Sequence, residues 1–224
     1  FGSRDDRPGV SLLLWAQYVL DSFASVVEAL DHLDDVQIVQ RPARGQILGA
    51  HLSLEDASGD SAIVEMLTGQ PTVHHGREFR IMANDPTFDE QLASLGRYAP
   101  FGGSDNLPGD IMSDQRFARA TYFLEHLSQP RDAREAVAGV MSITRNACVP
   151  FGAPYGDFTV YPTWWASVMD LQARTYFHQS TLAPNVVWAT IPGPEVDEVL
   201  CVDPAGLELS GNITQRLAPC ASPY

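Results

Sequence analysis

Twelve residues, Ile81 to Leu92 (IMANDPTFDEQL), carry the sharpest chemical signal in this 224-residue chain. An apolar run, Phe79-Arg80-Ile81-Met82, ends at Ala83-Asn84 and breaks at Asp85-Pro86. A helical pattern then starts at Thr87, with Phe88, Leu92 and Leu95 on one face. An asparagine at a strand end, followed closely by proline, offers its side-chain N–H₂ at a well-defined place. That is what a developing oxyanion requires of its surroundings. Spacing alone favours a simpler role, in which Asn84 caps the proline-initiated helix. A second segment, Leu107 to Phe117 (LPGDIMSDQRF), sets Arg116 in the first turn of another predicted helix. A cation there opposes the helix dipole unless something anionic faces it. Arg116 is therefore either an anion-facing residue or half of a surface ion pair, the commoner fate of such an arginine.

Other polar groupings carry less. His74 and His75 are neighbours, so on a strand they point to opposite faces, and no third metal ligand lies at useful spacing. They read as a turn before Gly76. Gly102 to Asn106 (GGSDN) lacks the strand–serine–helix elbow of a serine hydrolase. Glu55, Asp56 and Asp60 fit a solvated turn better than a glycosidase pair. Cys148, Cys201 and Cys220 form no CxxC, and Cys148, just past a helix, reads as structural. Cys201 and Cys220 could pair in an exported protein, but three reduced, buried thiols are the simpler expectation without an export signal.

The elements that must position Asn84 and Arg116 follow from periodicity. Apolar spacing from Leu13 to Leu33 predicts a helix, divided in two if Ser25-Val26-Val27-Glu28 is a capping box. The period then changes to two, predicting strands at Val36 to Gln40, Gly49 to Leu54, Ser61 to Met66 and Glu78 to Met82, with a hairpin turn at Glu55 to Asp60. With no helices between them, these strands should be antiparallel. A Gly/Pro-rich loop, Ala99 to Asp110, leads to helices at Ser113 to Leu127 and Asp132 to Asn146. A second strand set is expected at Phe158 to Tyr161, Trp164 to Leu171, Arg174 to His178 and Val186 to Thr190. Strands, helices and strands again predict a layered α+β domain with two antiparallel sheets.

The formal charge is −14, with Arg as the only strongly basic residue type. No basic stripe exists for nucleic acid. A Lys-free acidic surface fits a habitat or coding bias. No apolar run reaches the length of a membrane span.

The segments that carry Asn84 and Arg116 resemble motifs of the choloylglycine hydrolase/penicillin V acylase family of N-terminal-nucleophile amidases. Residues 82–91 resemble its M-T-N-S-P-x-F/Y-x-x-Q, and residues 107–117 its L-P-G-D-x-x-S-x-x-R-F. Trp15 to Asp21, His51 to Glu65, Thr163 to Asp170 and Arg174 to Phe177 resemble further elements, the last two those of its Gram-negative branch. The likeness runs from about Gly9 to Phe177. It implies an α+β fold, an αββα sandwich of two antiparallel sheets between helical layers, and one domain over residues 1–224 forming the C-terminal two-thirds of the amidase. It implies hydrolysis of a linear amide in a small amphipathic substrate: penicillin V or an N-acyl homoserine lactone ahead of conjugated bile acids. It also implies Asn84 and Arg116 as catalytic residues, no metal or other cofactor, and a homo-oligomer, a tetramer in the family. The family's nucleophile is the first residue of the mature chain, a Cys; here that position is Phe1. The expectation is therefore a partner segment that supplies the Cys. The expected location is periplasmic or secreted, with the cytoplasm as the alternative. The alternative is an inactive, family-derived binding or scaffold protein.

Overall fold

The computed structural model describes residues 6–39, 50–67, 70–154, 160–193, 196, 198–203 and 208–221. They fall in two compact units, Phe1–Ser94 and Leu95–Tyr224. In the first, β1 (Gly9–Ser11) pairs in parallel with β2 (Gln37–Val39), and between them lie helices α1 (Trp15–Ser22) and α2 (Val26–Asp31). The break between the helices is the capping box that the sequence suggested. Ser25 Oγ accepts the Glu28 N–H at 3.2 Å, and the Glu28 carboxylate accepts the Ala24 N–H at 2.8 Å. These bonds satisfy donors that the first helical turn leaves open.

Strands β3 (Ala50–Glu55), β4 (Ser61–Met66) and β5 (Pro71–His75) form an antiparallel sheet in that order. The β3–β4 turn is braced by Asp56, whose carboxylate accepts the N–H groups of Ser58 and of Val26 at the start of α2. These bonds, with the Ser58 hydroxyl foremost, hold the Asp56 pKa below its usual range. β4 is central and buried from Ser61 to Glu65. Val64 packs with Trp15, Val19 and Ala29 beneath the two helices. Burying such a side chain contributes on the order of 1.5–3 kcal/mol. Strand alternation sends Glu65 to the opposite face.

The predicted strand at Glu78 to Met82 is not one; β5 lies earlier, at the residues read as a turn. The register from Met66↔Pro71 to Ala62↔His75 occupies the free edge of β4. The Gly76 N–H on the Ser61 carbonyl (2.9 Å) then closes the ladder. Phe79 turns inward against the rings of His74 and Phe88 instead. Helix α3 (Phe88–Leu95) ends the unit. Its buried positions are Phe88 and Gln91, whereas Leu92, expected on the apolar face, is 40% exposed.

The second unit carries α4 (Ser113–Glu125) and α5 (Ala133–Asn146), the latter capped by Asp132, whose carboxylate accepts the Glu135 N–H at 2.8 Å. Helix α5 packs on β6 (Trp165–Asp170), which continues antiparallel into β7 (Thr175–Ser180) and β8 (Val187–Thr190). Three short strands follow: β9 (Leu200–Cys201), β10 (Gly211–Asn212) and β11 (Ala218–Pro219). β10 joins β8 in parallel, and β9 pairs antiparallel with β11. A disulfide joins Cys201 and Cys220 across that ribbon. The expectation of reduced thiols there is corrected: antiparallel pairing of Leu200 with Pro219 and Cys201 with Ala218 brings the two cysteines to a Cα separation of 6.0 Å, ordinary for a disulfide. Of the expected strand at Phe158 to Tyr161, Phe158 and Thr159 lie outside the described residues, and Val160 and Tyr161 belong to no strand among the described residues.

The loop before α4 depends on a close backbone approach. A Cβ at Gly103 would sit 2.2 Å from the Arg97 carbonyl oxygen, within a turn fastened by Ser104 and Asp105 N–H bonds to the same carbonyl. Backbone cannot yield as a flexible side chain does. Gly103→Ala should therefore destabilise the protein by about 2 kcal/mol or more in urea unfolding. A loss within about 0.5 kcal/mol would show that the turn relaxes freely.

Candidate active site

Asn84 lies in an exposed turn, residues 84–87, that three side chains hold in place. Thr87 precedes the first residue of α3, and Glu90 reaches back to its N–H (3.0 Å) and hydroxyl (2.6 Å). Those two bonds, the hydroxyl first, hold the Glu90 pKa below its ordinary value. Gln91, 1% exposed, donates its amide to the Pro86 carbonyl at 2.6 Å. From β4, both oxygens of the Glu65 carboxylate accept the Phe88 N–H, at 3.0 and 3.1 Å. That carboxylate meets the positive end of the helix dipole. The peptide bond between Asp85 and Pro86 is cis.

Asn84 and Glu65 line the same open cavity, of about 740 Å³, with Trp15, Leu52 and Leu67 supplying apolar wall. The size suits a small molecule, and an apolar wall with a few convergent polar groups is the usual make-up of such sites.

Arg116 is half-buried on the first turn of α4 in the second unit, and its Nε donates to the Ile111 carbonyl at 2.9 Å. One turn on, Arg119 is almost fully buried. It donates to Asn146 Oδ1 (2.9 Å) and to the carbonyls of Asp110 (2.6 Å) and Pro108 (3.4 Å). Burial first, then the neighbouring Arg116 cation, push its pKa down, and Asp110 opposes them. The Leu107 to Asp110 loop thus folds around Arg119, and that loop leads into Arg116.

Elsewhere, His75 bonds Asp60 at 2.9 Å, while the His74 ring packs at a tilt against Phe88 with its Nε2 3.7 Å from Asp89. Among the described residues no three His, Cys, Asp or Glu side chains are grouped to hold a metal, and no helix is long and apolar enough to cross a membrane. Sequence reasoning missed Glu65, Gln91 and Arg119 as site supports. The available signals were an acid inside an apolar strand, a glutamine one turn past Thr87, and an arginine beside the buried Phe117 and Ala118.

The sequence model of the linear amide C–N hydrolases, choloylglycine hydrolase family, matches residues 2–199. The chain belongs to this family. It is 36% identical over 202 residues to a penicillin V acylase of Pectobacterium atrosepticum, covering 83% of the chain and 54% of that protein. A conjugated bile acid hydrolase of Lactobacillus acidophilus is 24% identical over 193 residues, covering 74% of the chain and 59% of that protein. The chain thus spans little more than half the length of these curated relatives. The solved penicillin V acylase of Agrobacterium tumefaciens aligns with 99% of the chain and 71% of its own, at a TM-score of 0.83 and 36% identity. The fold is accordingly α+β, the αββα class of the N-terminal-nucleophile hydrolases, with antiparallel β3–β4–β5 in the first unit and antiparallel β6–β7–β8 in the second.

Arg119 offers a direct check on the architecture around Arg116. A lysine cannot reproduce a guanidinium that bonds several acceptors in fixed directions. Arg119→Lys should lower the stability of the intact protein by about 1–3 kcal/mol in denaturant unfolding. Unchanged stability would remove Arg119 as the organiser of the loop.

Proposed function

We propose that the intact protein is an acylase that hydrolyses a linear amide bond in a small amphipathic substrate. Penicillin V and N-acyl homoserine lactones stand ahead of conjugated bile acids. The observation that carries this reading is the Asn84 turn, pinned by Glu65, Glu90 and Gln91 at the rim of a cavity with an apolar wall. Membership of a linear amide hydrolase family supports the reaction class. The greater likeness to a penicillin V acylase than to a bile acid hydrolase supports the order of substrates.

The nucleophile in this reading is an N-terminal Cys on polypeptide outside residues 1–224. Its α-amine takes the thiol proton, and the thiolate attacks the amide carbonyl. Asn84 donates a hydrogen bond to the tetrahedral oxyanion, and Arg116 orients or polarises the thiolate. Collapse breaks the C–N bond as the amine leaves with the proton, and water then hydrolyses the thioester. A periplasmic or secreted location and a homo-oligomer belong to the same proposal. The disulfide between Cys201 and Cys220 fits an oxidising compartment.

Asn84→Ala in the intact enzyme should lower kcat on penicillin V or a long-chain acyl homoserine lactone by about 10²–10³, the usual effect of removing one oxyanion donor. Folding should hold, because Asn84 is exposed. Near wild-type kcat would reduce Asn84 to a structural turn residue.

A further inference from the structure

Glu65 is an acid inside the most deeply buried strand of the first unit, 5% exposed, after Ala62, Ile63 and Val64 at 0%. A carboxylate in such surroundings loses hydration and needs bonded partners. Among the described residues its hydrogen-bond donor is the Phe88 N–H, which both oxygens share. Helix α3 does not need that bond merely to begin, because Thr87 and Glu90 already form a cap at its surface. The bond instead ties the chain four residues after Asn84 to a strand flanked on both sides. Gln91 fixes the Pro86 carbonyl midway between.

We propose that Glu65 is a positioning residue for Asn84: through Phe88 it references the asparagine amide to β4. It does not touch substrate in this role. The proposal rests on the reading of Asn84 as the oxyanion donor. It follows from the sensitivity of catalysis to placement, since a displacement of about 1 Å can cost about 10² in rate. A donor on an exposed turn is accurately aimed only if something rigid holds the turn.

The test is a set of variants of the intact enzyme assayed on penicillin V, with circular dichroism and thermal midpoints confirming the fold. Glu65→Met keeps the length and removes the acceptor, Glu65→Asp keeps the charge and withdraws it by one methylene, and Glu65→Gln keeps one oxygen where the N–H needs it. Glu65→Met and Glu65→Asp should each lose about tenfold or more in kcat with KM within about threefold, and Glu65→Gln should stay within about threefold of wild type. In an Asn84→Ala background, Glu65→Met should remove less than about threefold more, because its effect passes through Asn84. If Glu65→Met does not fold, Glu65→Asp carries the same comparison. Full kcat in both, or equal losses with and without Asn84, overturns the proposal while leaving the oxyanion donor intact. Near wild-type kcat for Asn84→Ala alone overturns the donor reading, and this role with it.

Discussion

The carboxylate of Glu65 on the Phe88 N–H fixes more of the first unit than one hydrogen-bond donor would suggest. Everything between β4 and α3 must close to a geometry in which those two groups meet. The strand is immobilised by two neighbours and by the packing of Val64 beneath α1 and α2. The helix is seated through Phe88 and Gln91, both 2% exposed or less. The turn bearing Asn84 inherits its place from these anchors. A negative charge at a helix start gains from the backbone dipole, and burial in a low-dielectric setting strengthens that gain.

A parallel arrangement operates in the second unit. There a buried cation, Arg119, gathers the carbonyls of Pro108 and Asp110 and the side chain of Asn146. Arg116 follows this loop, so its guanidinium starts from a backbone that the neighbouring arginine has already fixed. In both units an ordered interior charge supports a polar residue that the sequence marks as chemical, exposed in the case of Asn84 and half-buried in that of Arg116. That division suits catalysis, in which preorganised dipoles contribute more than mobile ones.

Much of this was legible from periodicity. The 3.6-residue pattern located α1, α2, α4 and α5, and the alternation located β3, β4, β6, β7 and β8. The errors have physical causes. His74 and His75 look like a polar turn before a glycine, yet the length of β4 sets where its partner strand ends, and His74 packs on Phe88 as an aromatic. Leu92 was expected inside and Gln91 was not. A buried glutamine is tolerated because the Pro86 carbonyl takes its amide proton, a bond invisible to hydropathy. The pairing of Cys201 with Cys220 depends on a two-residue ribbon too short to carry a periodic signal. Asn84 and Arg116 were visible as motif residues, whereas Glu65 and Arg119 were hidden because their partners are distant in sequence or are backbone atoms, which no periodic pattern records.

The role given to Asn84 is tested most directly by a crystal structure of the intact enzyme after reaction with phenoxyacetaldehyde. Addition of the proposed catalytic thiol to this aldehyde would leave a tetrahedral adduct mimicking the intermediate proposed for penicillin V. The proposed role predicts the adduct oxygen about 2.7–3.1 Å from Asn84 Nδ2, within the cavity lined by Glu65 and Trp15. An adduct oxygen held by other donors, with Asn84 more than about 4 Å away, would contradict it.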